Sequence, residues 1–262
     1  MSQSILTMGH MLDCSTYSSA KKSLAAIFGI NEIVLIGFLR SIVESTKKQK
    51  QQASGPEKIL DPNIYQALCG QFGEPKNHTH TKWFHGTRTG DIASFKTQGI
   101  LTRSRALELL RPILSELAVG LTKTGKNPFE WSSSVKKDNA MHDGPYGFLI
   151  KDSVINKHGI FHDFYNRPEA VEEIAGELLG ENWELLMQRF QSITKPYVVS
   201  FWAEAGESEL ADAATYLYDV EDGKDGEDVV TASGKSFGCF NSFGEIVCPS
   251  RIVAIDDIPP DK

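Results

Sequence analysis

The stretch Trp83-Phe84-His85-Gly86-Thr87-Arg88, with its continuation to Leu101, constrains the fold more than any other part of the chain. Aromatic residues lead into it, so a short buried strand is expected, ending at the polar His-Gly-Thr corner. Glycine at that corner lets a ligand approach the backbone, while His85 and Thr87 supply a ring and a hydroxyl beside it. Ile92, Phe95 and Gly99-Ile100 then space like one helical turn closed by a glycine cap. Near the C-terminus, Phe243-Gly244-Glu245-Ile246-Val247-Cys248-Pro249 reads as a glutamate opening a strand, then a proline turn. Ser250 to Ile255 continues as another apolar strand.

The remaining chain alternates helical and extended patterns. Residues 1–20 are rich in Ser, Thr and Met without a clear period, as in a mobile tail. Asn31 with Glu32 starts an apolar helix that runs to about Glu44 and is expected to be buried by the rest of the fold. Lys47 to Pro56, polar and Gln-rich, marks the domain boundary, dividing an N-terminal segment (1–56) from a main domain (57–262). A short helix from Asp61-Pro62 through Cys69 is followed by a loop to Thr81. Ser104 is expected to cap a helix carrying Leu107, Leu110, Leu114, Leu117 and Leu121 on one face. Tyr146 to Ile150 reads as a strand, and Pro168 to Gln191 as an amphipathic helix divided at Gly180. Tyr197 to Trp202 is another strand, Glu207 to Leu217 a helix, and Asp219 to Asp228 an acidic loop.

Composition narrows the function classes. The chain has 262 residues, 40% of them hydrophobic, and a mean hydropathy of −0.25, as in a soluble globular protein. Its net charge of −7 disfavours a broad grip on nucleic-acid backbone. Polar and charged residues interrupt the N-terminal apolar run, which counts against a membrane span. The four cysteines lie far apart with no C-x-x-C pair, so neither a zinc site nor a disulfide scaffold is indicated. His78 and His80 have no carboxylate or Cys nearby to complete a metal site, and no metal is expected.

Strand, polar corner and short helix together resemble the first motif of the ADP-ribosyltransferase superfamily, in its diphtheria-toxin and poly(ADP-ribose) polymerase-like branch. The glutamate near the chain end is similar to the family's final motif, and about 160 residues separate the two, within the span of one domain. The resemblance implies an α+β fold, a split two-sheet core from about Glu57 to Ile258 with an N-terminal helical extension. It also implies NAD as substrate. Mono-ADP-ribosyl transfer to a protein of a host or competitor cell is then expected from a soluble, monomeric, secreted or injected effector. Phe243 stands two positions before Glu245, where arginine-modifying members carry a second glutamate, so a non-arginine acceptor is implied.

Breaking the nicotinamide–ribose bond passes through an oxocarbenium-like state. It needs a carboxylate near the ribose, a nicotinamide socket and groups that orient the sugar. By resemblance Glu245 supplies the carboxylate, His85 bonds the adenosine ribose, Gly86 holds the carboxamide through its backbone, and Thr87 assists. Arg88 suits the pyrophosphate. The middle motif departs from both branches: Trp131-Ser132-Ser133-Ser134 occupies the expected place, read as a strand. Two arrangements stay open there. In one, Ser132 and Ser134 face the amide and Glu245 while Tyr146, Phe240 or Phe243 stacks on nicotinamide. In the other, Trp131 stacks and the serines are structural. The inward serines are preferred, since a hydroxyl would hold the carboxylate and a tryptophan would crowd the ribose. Alternative readings are an NAD glycohydrolase on the same site, an inactive protein-binding module of this fold, and a tRNA 2′-phosphotransferase-like enzyme.

Overall fold

In the computed structural model, the residues described are 10–52, 62–137, 139–155, 163, 166–223, 232 and 238–258. The strands are β1 (His10–Leu12), β2 (His78–Thr89), β3 (Tyr146–Phe148), β4 (Lys195–Glu204), β5 (Cys239–Asn241) and β6 (Ile252–Asp257). The helices are α1 (Tyr17–Phe28), α2 (Glu32–Gln52), α3 (Ile64–Phe72), α4 (Ala93–Gln98) and α5 (Arg103–Leu117). They continue with α6 (Glu130–Lys136), α7 (Lys151–Ile155), α8 (Glu169–Leu179), α9 (Trp183–Ile193) and α10 (Glu207–Asp222). The fold is α+β. Its strands follow one hydrogen-bonded path, β5-β3-β2-β4-β6, with β1 added on β2, where two separate sheets were expected. β3 runs antiparallel to both β2 and β5, β6 antiparallel to β4, and β1 parallel to β2.

The chain divides into two compact units, and neither ends at residue 56. The first comprises residues 1–83, 149–156 and 202–238. Its helices follow from local capping. Thr16 accepts a hydrogen bond from the Ser19 N–H to start α1, and Asn31 accepts one from Val34 to start α2. Between them Gly29, at φ 70°, closes α1, and the two helices bend by 99°. Leu24, Ile27, Phe28, Leu35, Leu39 and Leu217 are fully buried, each worth roughly 1.5–3 kcal/mol against exposure. Residues 10–20 of the expected tail are therefore ordered, since β1 pairs with β2 and α1 begins at Tyr17, while residues 1–9 lie outside those described. Lys47 to Gln52 of the expected linker extend α2, while residues 53–61 lie outside those described. Among the described residues, no single helix is long and apolar enough to cross a membrane.

The second unit comprises residues 84–148, 157–201 and 239–262. The expected helix from Pro168 to Gln191 is two helices, α8 and α9, separated at Gly180 (φ 62°). Both pack with α5 around Leu114, Ile174, Ala175, Leu186 and Phe190. Thr102, rather than Ser104, caps α5, through the Arg105 N–H. α8 carries its acidic residues into partners on neighbouring elements. Glu172 and Glu173 are buried, 4% and 6% exposed. Arg167 donates to Glu172 at 2.8 Å, while Arg103 and Lys136 both bond Glu173, the latter at 3.2 Å. Lys136 also reaches Glu169 at 2.7 Å. A buried carboxylate is tolerated here because two cations compensate its lost hydration.

That dependence is testable. Arg103→Met leaves Glu173 short of one compensating charge, and is expected to lower unfolding free energy by about 3 kcal/mol. Urea denaturation of Arg103→Met alongside the double variant Arg103→Met/Glu173→Leu checks it: the double variant should recover most of the loss.

Candidate active site

β2 and β3 are in register at Phe84 and Phe148. One residue further on β2, the His85 ring turns toward β3, with Nδ1 2.7 Å from the Tyr146 carbonyl oxygen. A carbonyl oxygen can only accept, so Nδ1 carries the proton and Nε2 is left as the acceptor. Burial pushes the His85 pKa below its ordinary value, against the opposing effect of the Tyr146 carbonyl, and the ring is neutral at neutral pH. Nε2 has no partner among the described residues. The His-Gly-Thr is thus strand interior rather than strand end, since β2 runs on to Thr89.

The same backbone continues to β5. Tyr146 lies opposite Asn241, Gly147 opposite Phe240 and Phe148 opposite Cys239. The Tyr146 hydroxyl donates to the Met141 carbonyl at 2.6 Å, and the Asn241 amide donates to the same oxygen at 2.9 Å. Asn241 Oδ1 in turn accepts the Phe243 N–H at 2.9 Å. The turn that follows is tight. Glu245 N–H donates to the Ser242 carbonyl at 3.3 Å, and Ser242 Oγ donates to the Glu245 carbonyl at 2.5 Å. Phe243 (φ 53°) and Gly244 (φ 88°) are both left-handed, a conformation costing a non-glycine residue about 1 kcal/mol or more.

Beyond the turn, Val247 exchanges two 3.0 Å hydrogen bonds with Ile100, so the Glu245 segment is tied at both ends. Gly99 makes this possible. It sits at φ 78°, and a Cβ there would run into the Val247 carbonyl. Glu245 itself is exposed and opens no strand, because Val247 is an isolated bridge and β6 starts only at Ile252. Proline at 249 begins a single 3₁₀ turn, Pro249–Arg251, which leads into β6, so the expected turn is present without the strand before it.

The expected middle motif is not a strand. Trp131, Ser132 and Ser134 lie on helix α6. Ser132 Oγ donates to the Phe129 carbonyl at 3.0 Å and Ser134 Oγ to the Trp131 carbonyl at 2.7 Å, so both hydroxyls bond back into their own helix. Trp131 is 78% exposed. None of the three forms the floor of a socket between strands, and strand alternation does not apply to them. Helix competes well here because Glu130 favours a first turn and Lys136 a last one.

Arg88 is likewise spent on structure. Its Nε donates to Thr194 Oγ1 at 3.0 Å, and its Nη2 to the Gln191 and Thr194 carbonyls at 3.2 Å. A guanidinium at the end of α9 satisfies carbonyls that have no helical partner, in place of the expected phosphate contact. Phe240 packs edge-on against Phe201 at 5.1 Å, which engages one of the four candidate stacking rings. Phe243 is 62% exposed, and Tyr146 is half-buried. Gly86 is buried and Thr87 half-buried on β2. His78 and His80 start β2, bonding Thr81 and Thr79 hydroxyls, and no metal-holding group of side chains occurs among the described residues.

The structure therefore brings His85, Gly86 and Tyr146 together on adjoining strands, with Glu245 on the turn after the next one. Sequence reading passed over Asn241, Ser242 and Met141, which hold that turn. The run Asn241-Ser242-Phe243-Gly244 carries the signal, since Asn and Ser side chains followed by Gly are turn chemistry.

Burial lowers the pKa of His78 as well as His85. Both rings are favoured neutral in the fold, so their contribution is complete above the unfolded value of about 6.5 and is lost as pH falls through the lower folded values. The urea midpoint is expected to be level from pH 8 to 7 and to decline below about 6.5. His85→Asn should flatten part of that decline, read by denaturation at each pH. Against this geometry, no protein-family model, no curated protein and no solved structure matches the chain.

Proposed function

We propose that the protein is an NAD-dependent mono-ADP-ribosyltransferase acting on a protein side chain other than arginine. The observation that carries this reading is the His85–Tyr146 contact. A neutral ring, oriented by a main-chain carbonyl, presents an acceptor nitrogen beside a buried glycine and one strand away from an aromatic ring. An Nε2 acceptor suits a ribose hydroxyl, the Gly86 backbone suits a carboxamide, and the Tyr146 ring offers a flat face for nicotinamide. Glu245 is the carboxylate for the oxocarbenium-like state. Its turn is held by Asn241, Ser242 and the Val247–Ile100 bridge, and a carboxylate on a rigid support needs little reorganisation as charge develops. With the α6 serines bonded within their helix, Tyr146 and Phe243 are the stacking candidates that remain. Phe243 in place of a glutamate supports the non-arginine acceptor.

The test is incubation of the chain with labelled NAD and a cell lysate. Label on protein is the expected result. Free ADP-ribose alone would mean a glycohydrolase, and neither product would leave a binding protein. Glu245→Gln should reduce transfer by at least 10²-fold or so while leaving the fold and NAD affinity in place. A variant keeping more than about a third of wild-type turnover would remove Glu245 from catalysis.

His85→Ala should raise KM more than it lowers kcat, because its bond is to a part of NAD remote from the broken one. Ser132→Ala, on α6, should leave both unchanged. A collapse of kcat in Ser132→Ala would return that residue to the site.

A further inference from the structure

The first unit holds a cleft that the proposed chemistry does not use. It lies among α1, α2 and α10 and has a volume of about 780 Å³, within the range of small-molecule sites. Gly37, near the middle of the first half of the 21-residue helix α2, is among the residues that line it. A mid-helix glycine costs about 1 kcal/mol relative to alanine and calls for a reason. Packing supplies none among the described residues, because Gly37 is exposed and a Cβ there would meet nothing within 4 Å. What the missing side chain provides is room above the helix backbone.

The walls are apolar and the rim is polar. Ile33, Ile36, Val220 and the Tyr17 ring line the cleft. Ile33 is 85% exposed and stands one turn from Gly37. At one side, the Glu221 carboxylate accepts from the Tyr17 hydroxyl and, at 2.6 Å, from Arg40 Nε. At the other, Glu32 pairs with Lys21 at 3.3 Å. Each carboxylate is thus paired with a cation, Glu221 through one oxygen and Glu32 through Oε2, and the donors are not exhausted. The two Nη groups of Arg40 have no partner among the described residues, and Lys21 has further ammonium protons. The N–H groups that Arg40 and Lys21 still offer at the rim suit an anionic head.

We propose that this cleft binds an anionic amphiphile, its head on Arg40 and Lys21 and its apolar body over Gly37 between Ile33, Ile36, Val220 and Tyr17. The glycine admits the body close to the helix, and the two cations select the charge of the head. A free fatty acid and an anionic lipid share this chemistry.

Calorimetric titration of the full chain with oleate, oleyl alcohol and vesicles of phosphatidylcholine with or without phosphatidylglycerol tests the proposal. Saturable binding of oleate is expected, with the alcohol at least about tenfold weaker, the scale of one charge-assisted contact. Arg40→Gln should weaken oleate binding about tenfold, and Gly37→Phe, which fills the cleft, should abolish it. Binding only to the phosphatidylglycerol vesicles, with the same response to both variants, would support the site and identify a lipid as the source. Equal binding of acid and alcohol, saturation by neither oleate nor anionic vesicles, or full affinity in both variants would overturn the proposal. Circular dichroism confirms the fold of each variant. Should Gly37→Phe fail to fold, Arg40→Gln and Ile33→Ser, both at exposed positions, carry the same test.

Discussion

The pairing of one short strand on both sides governs the candidate site. β3 has only three residues, Tyr146 to Phe148, yet its backbone must be satisfied by β2 on one edge and β5 on the other. Buried peptide groups left unpaired would cost more than so short a strand could recover from side-chain burial. With β2, the pairing is held at Phe84 and Phe148, and next to it the His85 ring takes the Tyr146 carbonyl in place of a backbone partner. That substitution sets the ring's tautomer and aims its remaining nitrogen. A structural requirement, finding a donor for one carbonyl, thereby orients the residue on which the functional reading rests.

The Glu245 turn shows the same economy from the other direction. Asn241 and the Tyr146 hydroxyl converge on a single Met141 carbonyl, and Asn241 also bonds the main chain of Phe243. These contacts hold Phe243 in a left-handed conformation that the residue would not choose alone. Strain of this kind persists only where the surroundings over-determine it, and here it sits two residues from the exposed carboxylate. Nearby, the second unit compensates its buried acidic residues by pairing. Arg103 and Lys136 converge on Glu173, so helix α6 and the start of α5 are both tied to α8. A segment whose lysine is committed in this way is constrained to present that face inward, which is consistent with Trp131 facing outward.

Much of the secondary structure was legible in the sequence, for local reasons. Asn31 before Glu32 gave the start of α2, and Gly180 divided α8 from α9, because caps and left-handed glycines act within a few residues. α4 closing at Gly99 was legible on the same grounds. The errors also have a common cause. Trp131 to Ser134 read as a strand because serine and tryptophan carry no strong local preference, and the deciding contact, Lys136 with Glu169 and Glu173, lies more than thirty residues away. Glu245 read as the start of a strand because Ile246 and Val247 are β-branched. Only Val247 found a partner, Ile100, and one bridge does not make a strand. Arg88 read as a free cation because nothing near it in sequence revealed Thr194 and the end of α9.

The sequence by itself determined the start of α2 at Asn31, the end of α4 at Gly99, the break between α8 and α9 at Gly180, and that Trp83, Phe84 and Tyr146 lie on extended segments. These follow from capping, period and propensity, all of them short-range. Tertiary structure decided which strands are neighbours, which histidine nitrogen carries the proton, and whether each polar side chain is available or already engaged. Those properties depend on donors and acceptors brought together from distant parts of the chain. Arg88, between Thr87 and Thr89, and Glu245, between Gly244 and Ile246, are both charged residues with no oppositely charged neighbour beside them in the sequence. Only the fold commits the first to capping α9 and leaves the second exposed on its turn.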